Sequence, residues 1–128
     1  MVYKYQTPLE GVIEKNRKGI KDYRIPDKLR HLYEKKFYGR YANNEGEMPV
    51  CFSASNHTSG GNSGSPVINA DGELIGINFD RNWEGTLSDI MHDPAQCRNI
   101  TVDIRYVLFI IDRFANADRL IGEMTLVE

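Results

Sequence analysis

The stretch Gly60-Gly61-Asn62-Ser63-Gly64-Ser65-Pro66 is the part of this sequence whose residue types could do chemistry. Glycines on both sides of a serine allow a bend that other residues resist, so the hydroxyl can be pushed outward while neighbouring backbone N–H groups converge. An acyl-transfer nucleophile needs both features. Its Oγ attacks a carbonyl, and the oxygen that becomes negative needs donors already in place about 3 Å away. Ser63 is the candidate nucleophile, with the amides of Gly61 and Ser63 as the donors. Two plainer readings fit the same residues: a flexible Gly/Ser linker, or a backbone nest for an anion. The loop lacks the Gly-Lys-Ser/Thr ending of a phosphate-binding P-loop, and no Rossmann spacing occurs.

The elements around this loop are strands. Val50, Phe52 and Ala54 alternate with Cys51, Ser53 and Ser55, which predicts a strand with one wetter face. After the loop, Val67-Ile68 and Leu74 to Phe79 flank Asn69-Ala70-Asp71-Gly72-Glu73, and Asp-Gly supplies hairpin turn chemistry. The serine therefore lies between a strand and a hairpin, unlike the nucleophile elbow that opens a helix in α/β-hydrolases. A polar loop from Asp80 to about Arg98 leads to a further strand at Ile100-Thr101-Val102. Asp103 is placed to cap a helix carrying Ile104, Val107, Leu108, Ile111 and Phe114. Asn116 is placed to cap a last short turn.

The first 40 residues have a different texture. Leu29, Leu32, Tyr33 and Phe37 recur at helical spacing after Ile25-Pro26-Asp27, which predicts an amphipathic helix over 26–38. Leu9 to Lys15 predicts a shorter one before the turn at 16–19. The expectation is an α+β chain, with a helical segment over residues 1–40 and a strand-rich segment with a terminal helix over 41–128.

The 128 residues, 41% of them apolar and 27% charged, suit a folded globular unit. A net charge of −2 gives no field to hold a polyanion, so nucleic acid is not expected as a partner. The apolar run Tyr106–Ile111 is far shorter than the roughly 20 residues of a membrane span. The first eight residues lack the pattern of a signal peptide. Cys51 and Cys97 read as buried thiols, with a disulfide as the open alternative. His31, His57 and His92 show no metal-ligand spacing and read as solvated or packed side chains. On sequence context alone, Asp80 and Arg81 read as a solvated turn pair.

Gly61-Asn62-Ser63-Gly64-Ser65-Pro66 resembles the nucleophile loop of chymotrypsin-like serine proteases. The longer stretches Thr58–Asn69, Gly76–Glu84 and Gln96–Leu108, together with Lys28–Tyr33 and Tyr38-Gly39-Arg40-Tyr41, resemble the bacterial family of dipeptidyl peptidases 7 and 11. The resemblance implies a C-terminal piece of a larger periplasmic or surface exopeptidase: the serine-bearing part of an antiparallel β-barrel, preceded by the end of a helical region. It implies that the triad histidine and aspartate lie upstream of residue 1, so that this piece alone is nearly inactive. No metal or cofactor is implied.

Arg81, 18 residues after Ser63, stands where this family's branches differ, and arginine there resembles the type-11 branch. The resemblance makes its guanidinium a bidentate partner for an Asp or Glu side chain at the substrate's P1 position. It gives Asp80 the substrate's free α-amine and Phe79 the pocket wall. The partner implied is a peptide with a free N-terminus. Asn62 stands where digestive proteases carry an aspartate, so activation through an ion pair with a newly cut N-terminus is not expected. Barrel strands missing from such a piece leave unpaired edges, which predicts a homodimer or a strand-swapped assembly.

Overall fold

The computed structural model describes residues 4–16, 19–91 and 93–127. His92 and part of the turn expected at 16–19 lie outside the described residues. The class is α+β. A five-stranded sheet runs in the order β1-β2-β5-β4-β3, where β1 is Gln6–Pro8, β2 Pro49–Ala54, β3 Pro66–Ile68, β4 Leu74–Arg81 and β5 Asn99–Asp103. The pairs β2–β5, β5–β4 and β4–β3 are antiparallel. Among the described residues four α-helices accompany it: α1 (Leu9–Lys15), α2 (Asp27–Glu34), α3 (Ile104–Phe109) and α4 (Asp118–Gly122). No described helix is long and apolar enough to cross a membrane.

Contacts divide the chain into two compact units, residues 1–6 with 51–104 and residues 7–50 with 105–128. The change of texture near residue 40 falls inside the second unit. That unit holds most of the buried apolar side chains: Leu9, Ile25, Leu29, Leu32, Tyr38, Tyr41, Met48, Val50 and Phe109. The Tyr38 ring meets Phe109 edge-on at 5.9 Å, and Tyr41 donates to Asp112 Oδ2 at 2.9 Å.

Helix α2 is shorter than the 26–38 that its periodicity predicts. It ends at Glu34 because Lys36 turns to φ 48°. There the amide of Lys36 donates to the Tyr33 carbonyl and that of Phe37 to the Leu32 carbonyl, closing the last turn as a Schellman motif does. The helix after Asp103 continues past Phe109 as a π turn over Ile110–Phe114. Asn116 takes φ 55°, and Ala117, not Asn116, is the N-cap of α4.

In the sheet unit the hairpin forms at the expected turn. Gly72 supplies the positive φ of 82°. Asn69 Oδ1 accepts the amides of both Asp71 and Glu73, which closes the loop. Along β5 the buried residues are Asn99, Thr101 and Asp103, while Ile100 and Val102 are half-buried. The inner face of this strand is therefore polar.

Gly76, buried on β4, has no room for a side chain: an added Cβ would overlap Thr101 Cγ2 and come within 2.6 Å of the Val102 carbonyl oxygen. Overpacking of this kind costs about 1–3 kcal/mol. Gly76→Ala is therefore expected to lower the thermal unfolding midpoint of the protein. An unchanged midpoint would show that β5 moves aside freely.

Candidate active site

Ser63 stands on a loop that β4 holds in place. Gly61 and Gly64 adopt φ of 92° and 89°. A Cβ at either would meet nothing within 4 Å, so the backbone angle and not the space demands glycine. The Gly64 amide donates to the Asn78 carbonyl at 2.7 Å, and the Asn78 amide donates to the Ser65 carbonyl at 2.9 Å. These two bonds extend the hairpin ladder to the edge of the serine.

A buried side-chain relay braces the same point from below. Asn78 Nδ2 donates to the Asn62 carbonyl, and Asn99 Nδ2 donates to Asn78 Oδ1 and to Thr101 Oγ1. All three relay residues are at most 5% exposed. Buried amides tied in this way hold one arrangement, because breaking a link would strand a desolvated polar group. The Asn62 side chain is used within the loop: its Oδ1 accepts the Ser59 amide at 2.6 Å and the Ser59 hydroxyl at 3.3 Å.

A β-bulge completes the site. Asn78 pairs with Thr101 and Asp80 with Ile100, leaving Phe79 as the extra residue. Its carbonyl accepts the Ser63 hydroxyl at 3.3 Å. Among the described residues no imidazole bonds that hydroxyl, and the amides of Gly61 and Ser63 donate to no acceptor.

Ser63, Gly61, Phe79, Asp80 and Arg81 all line one cleft of about 130 Å³, together with Thr58, Ser59, Gly60 and Asn78. The five residues singled out in the sequence are thus brought together. His31 and His57 are exposed and do not line this cleft. Among the described residues no cluster of His, Cys, Asp and Glu could hold a metal ion. Cys51 and Cys97 are free thiols. Cys97 is buried, whereas Cys51 is half-buried, with its thiol pushed above the ordinary range by burial and then by Asp103.

Arg81 is not a solvated turn residue. Its two terminal nitrogens meet the two carboxylate oxygens of Asp89, each at 2.8 Å. Nη1 also donates to the Thr58 carbonyl at 3.3 Å. Asp89 Oδ1 accepts the Gly60 amide at 3.2 Å. Hydrogen bonding to Arg81 is the main reason that the Asp89 carboxyl is lowered to about 2. A carboxylate lowered on folding contributes stability that is present above its unfolded value and lost only as pH falls through the folded one. The pair therefore persists across the neutral range. Asp80 Oδ1 accepts the amide of Arg81 at 2.8 Å. Asp89 and the Asn78–Asn99–Thr101 relay were not among the residues that sequence spacing picked out. Polar residues alternating with Ile100 and Val102 on a strand were the only signal of the relay.

The Peptidase S46 family profile matches residues 1–126. The chain is 55% identical, over all of its length, to an Asp/Glu-specific dipeptidyl-peptidase of Capnocytophaga gingivalis, of which it covers 18%. It is 55% identical over 126 residues to a dipeptidyl-peptidase 7 of Phocaeicola vulgatus, covering 98% of this chain and 18% of that protein. The crystal structure of Porphyromonas endodontalis DPP11 in complex with the dipeptide Arg-Asp superposes with a TM-score of 0.92 at 58% identity, over 94% of this chain and 17% of that one. The chain thus spans less than a fifth of the length of these relatives. With a family profile that runs from residue 1 to 126 around the Ser63 loop, this chain belongs to the Peptidase S46 family.

Proposed function

We propose that this chain is the nucleophile-bearing part of a longer serine dipeptidyl peptidase that releases N-terminal dipeptides with Asp or Glu at P1. Ser63 attacks the scissile carbonyl, and the amides of Gly61 and Ser63 stabilise the oxyanion. The Arg81 guanidinium takes the P1 carboxylate, Phe79 lines its pocket, and Asp80 holds the substrate's free α-amine. Fixing that amine two residues from the scissile bond makes the product a dipeptide. The histidine and aspartate that activate Ser63 come from elsewhere in the longer protein. The sheet is read as part of a chymotrypsin-like β-barrel, and the full-length enzyme as periplasmic or cell-surface.

The observation that carries this reading is the shared cleft: a serine with unengaged amides beside it and an arginine on its wall. The test is hydrolysis of reporter peptides by the full-length protein. Release of Xaa-Glu and Xaa-Asp dipeptides supports the reading; binding of such peptides without turnover overturns it. The similarity to a dipeptidyl-peptidase 7 favours a second reading, a broad apolar P1 preference, which shows as faster release of dipeptides ending in Leu or Met.

The assembly expected of this chain is a homodimer or strand-swapped pair, supported by the sheet edges at β1 and β3. Sedimentation of the 128-residue chain should give a dimer at high concentration. A monomer throughout would remove that expectation.

A further inference from the structure

We infer that Asp89 is the positioning residue of the specificity arginine: it grips Arg81 from behind the cleft and ties that grip to the loop that precedes the nucleophile. The inference rests on the reading of Arg81 as the P1 partner. Three observations carry it. The contact is bidentate, Nη1 donating to Oδ1 and Nη2 to Oδ2, each at 2.8 Å, a geometry that fixes the plane of the guanidinium and not merely its place. Arg81 lines the cleft, whereas Asp89 is not among its lining residues. The same carboxylate also accepts the Gly60 amide, while Arg81 donates to the Thr58 carbonyl. One residue thereby sets both the arginine and the cleft wall at 58–60.

The chain makes this possible by a compact return. After β4 ends at Arg81, the residues Trp83–Asp89 coil as a 3₁₀ segment. That segment brings Asp89 back against the arginine eight positions earlier. A long arginine side chain loses rotamer freedom whenever it binds, and a partner that has already ordered it removes that cost from substrate binding. Asp89 also brings a negative charge near the cleft. The alternative is that it competes with the substrate's carboxylate, and the two roles predict opposite changes.

The experiment measures kcat and KM of the full-length protein with Glu-P1 and Leu-P1 dipeptide reporters for wild type, Asp89→Asn, Asp89→Glu, Arg81→Ala and Arg81→Ala/Asp89→Asn. A fluorophosphonate labelling rate at Ser63 checks that each variant is folded around its nucleophile. Asp89→Asn is expected to lose about 10- to 100-fold in kcat/KM with the Glu reporter, mostly through KM. Leu-reporter turnover and the labelling rate should stay within about threefold, and Asp89→Glu should recover part of the loss. In the Arg81→Ala background, Asp89→Asn should cause no further loss. An unchanged or higher kcat/KM with the Glu reporter in Asp89→Asn overturns the inference, as does an equal loss on both reporters. If Arg81→Ala loses the acidic preference and Asp89→Asn does not, this inference alone falls. If Arg81→Ala keeps the preference, the reading of Arg81 falls with it.

Discussion

Ser63→Ala in the full-length protein is expected to lower kcat for dipeptide release by about 10⁶-fold, the scale seen when the nucleophile of a serine triad is removed. Among the described residues the hydroxyl bonds only the Phe79 carbonyl, so its loss leaves no buried group stranded and the loop keeps its shape. That shape depends on backbone bonds from Gly64 and Ser65 and on the Asn78–Asn99 relay, none of which involves the Ser63 side chain. The variant should therefore fold normally and bind peptide with an affinity close to that of wild type. It should also keep the oxyanion donors, which account for residual catalysis of roughly 10³–10⁴ over water. Turnover kinetics combined with equilibrium binding of a dipeptide product separate these effects. A variant with more than about a hundredth of wild-type turnover would remove Ser63 from the chemistry.

How much of this site could be read from sequence follows from the range over which each feature is set. The positive φ of Gly61, Gly64 and Gly72 is a local property of glycine, and the loop and hairpin turn were legible for that reason. The helix over 26–38 was overextended because apolar spacing continues through Phe37, whereas the stop comes from Lys36 adopting a left-handed conformation, for which lysine gives no warning. The bulge at Phe79 was not legible at all. It depends on register against Thr101 and Ile100, in a strand far along the chain, and nothing in Asn78-Phe79-Asp80 announces it.

The polar relay shows the same limit in a different form. Hydrophobic patterning assigns Ile100 and Val102 to the interior of β5, yet Asn99, Thr101 and Asp103 are the more buried set. The strand turns its amide and hydroxyl inward because its neighbour presents Gly76 and Asn78 there, one with no side chain and one needing partners. A single strand's alternation carries no record of what faces it. Asp89 was missed for a related reason: a lone acidic residue in a polar loop looks solvated until the fold returns it to Arg81.

Arg81→Ala is expected to lower kcat/KM for substrates with Glu or Asp at P1 by about 10²–10³-fold while sparing substrates with Leu or Met there, inverting the preference. A carboxylate held by a bidentate guanidinium in a cleft loses a charge-assisted pair of hydrogen bonds when the arginine is truncated. A second effect acts in the same direction. Asp89, deprived of its partner, is left as an uncompensated negative charge beside the cleft, with its carboxyl returning from about 2 toward its ordinary 3.8. At neutral pH that charge repels an acidic P1 side chain and leaves an apolar one unaffected. Apolar side chains gain from the space vacated beside Phe79, itself a residue of the cleft lining. Arg81→Lys should restore only part of the acidic preference, because a single ammonium cannot meet two carboxylate oxygens in one plane or match the two oxygens of Asp89. The measurement is the ratio of kcat/KM for paired Glu-P1 and Leu-P1 reporters across wild type, Arg81→Ala and Arg81→Lys. A ratio that stays at the wild-type value in Arg81→Ala would place P1 recognition elsewhere and leave the Arg81–Asp89 pair a structural brace of the loop at 58–60.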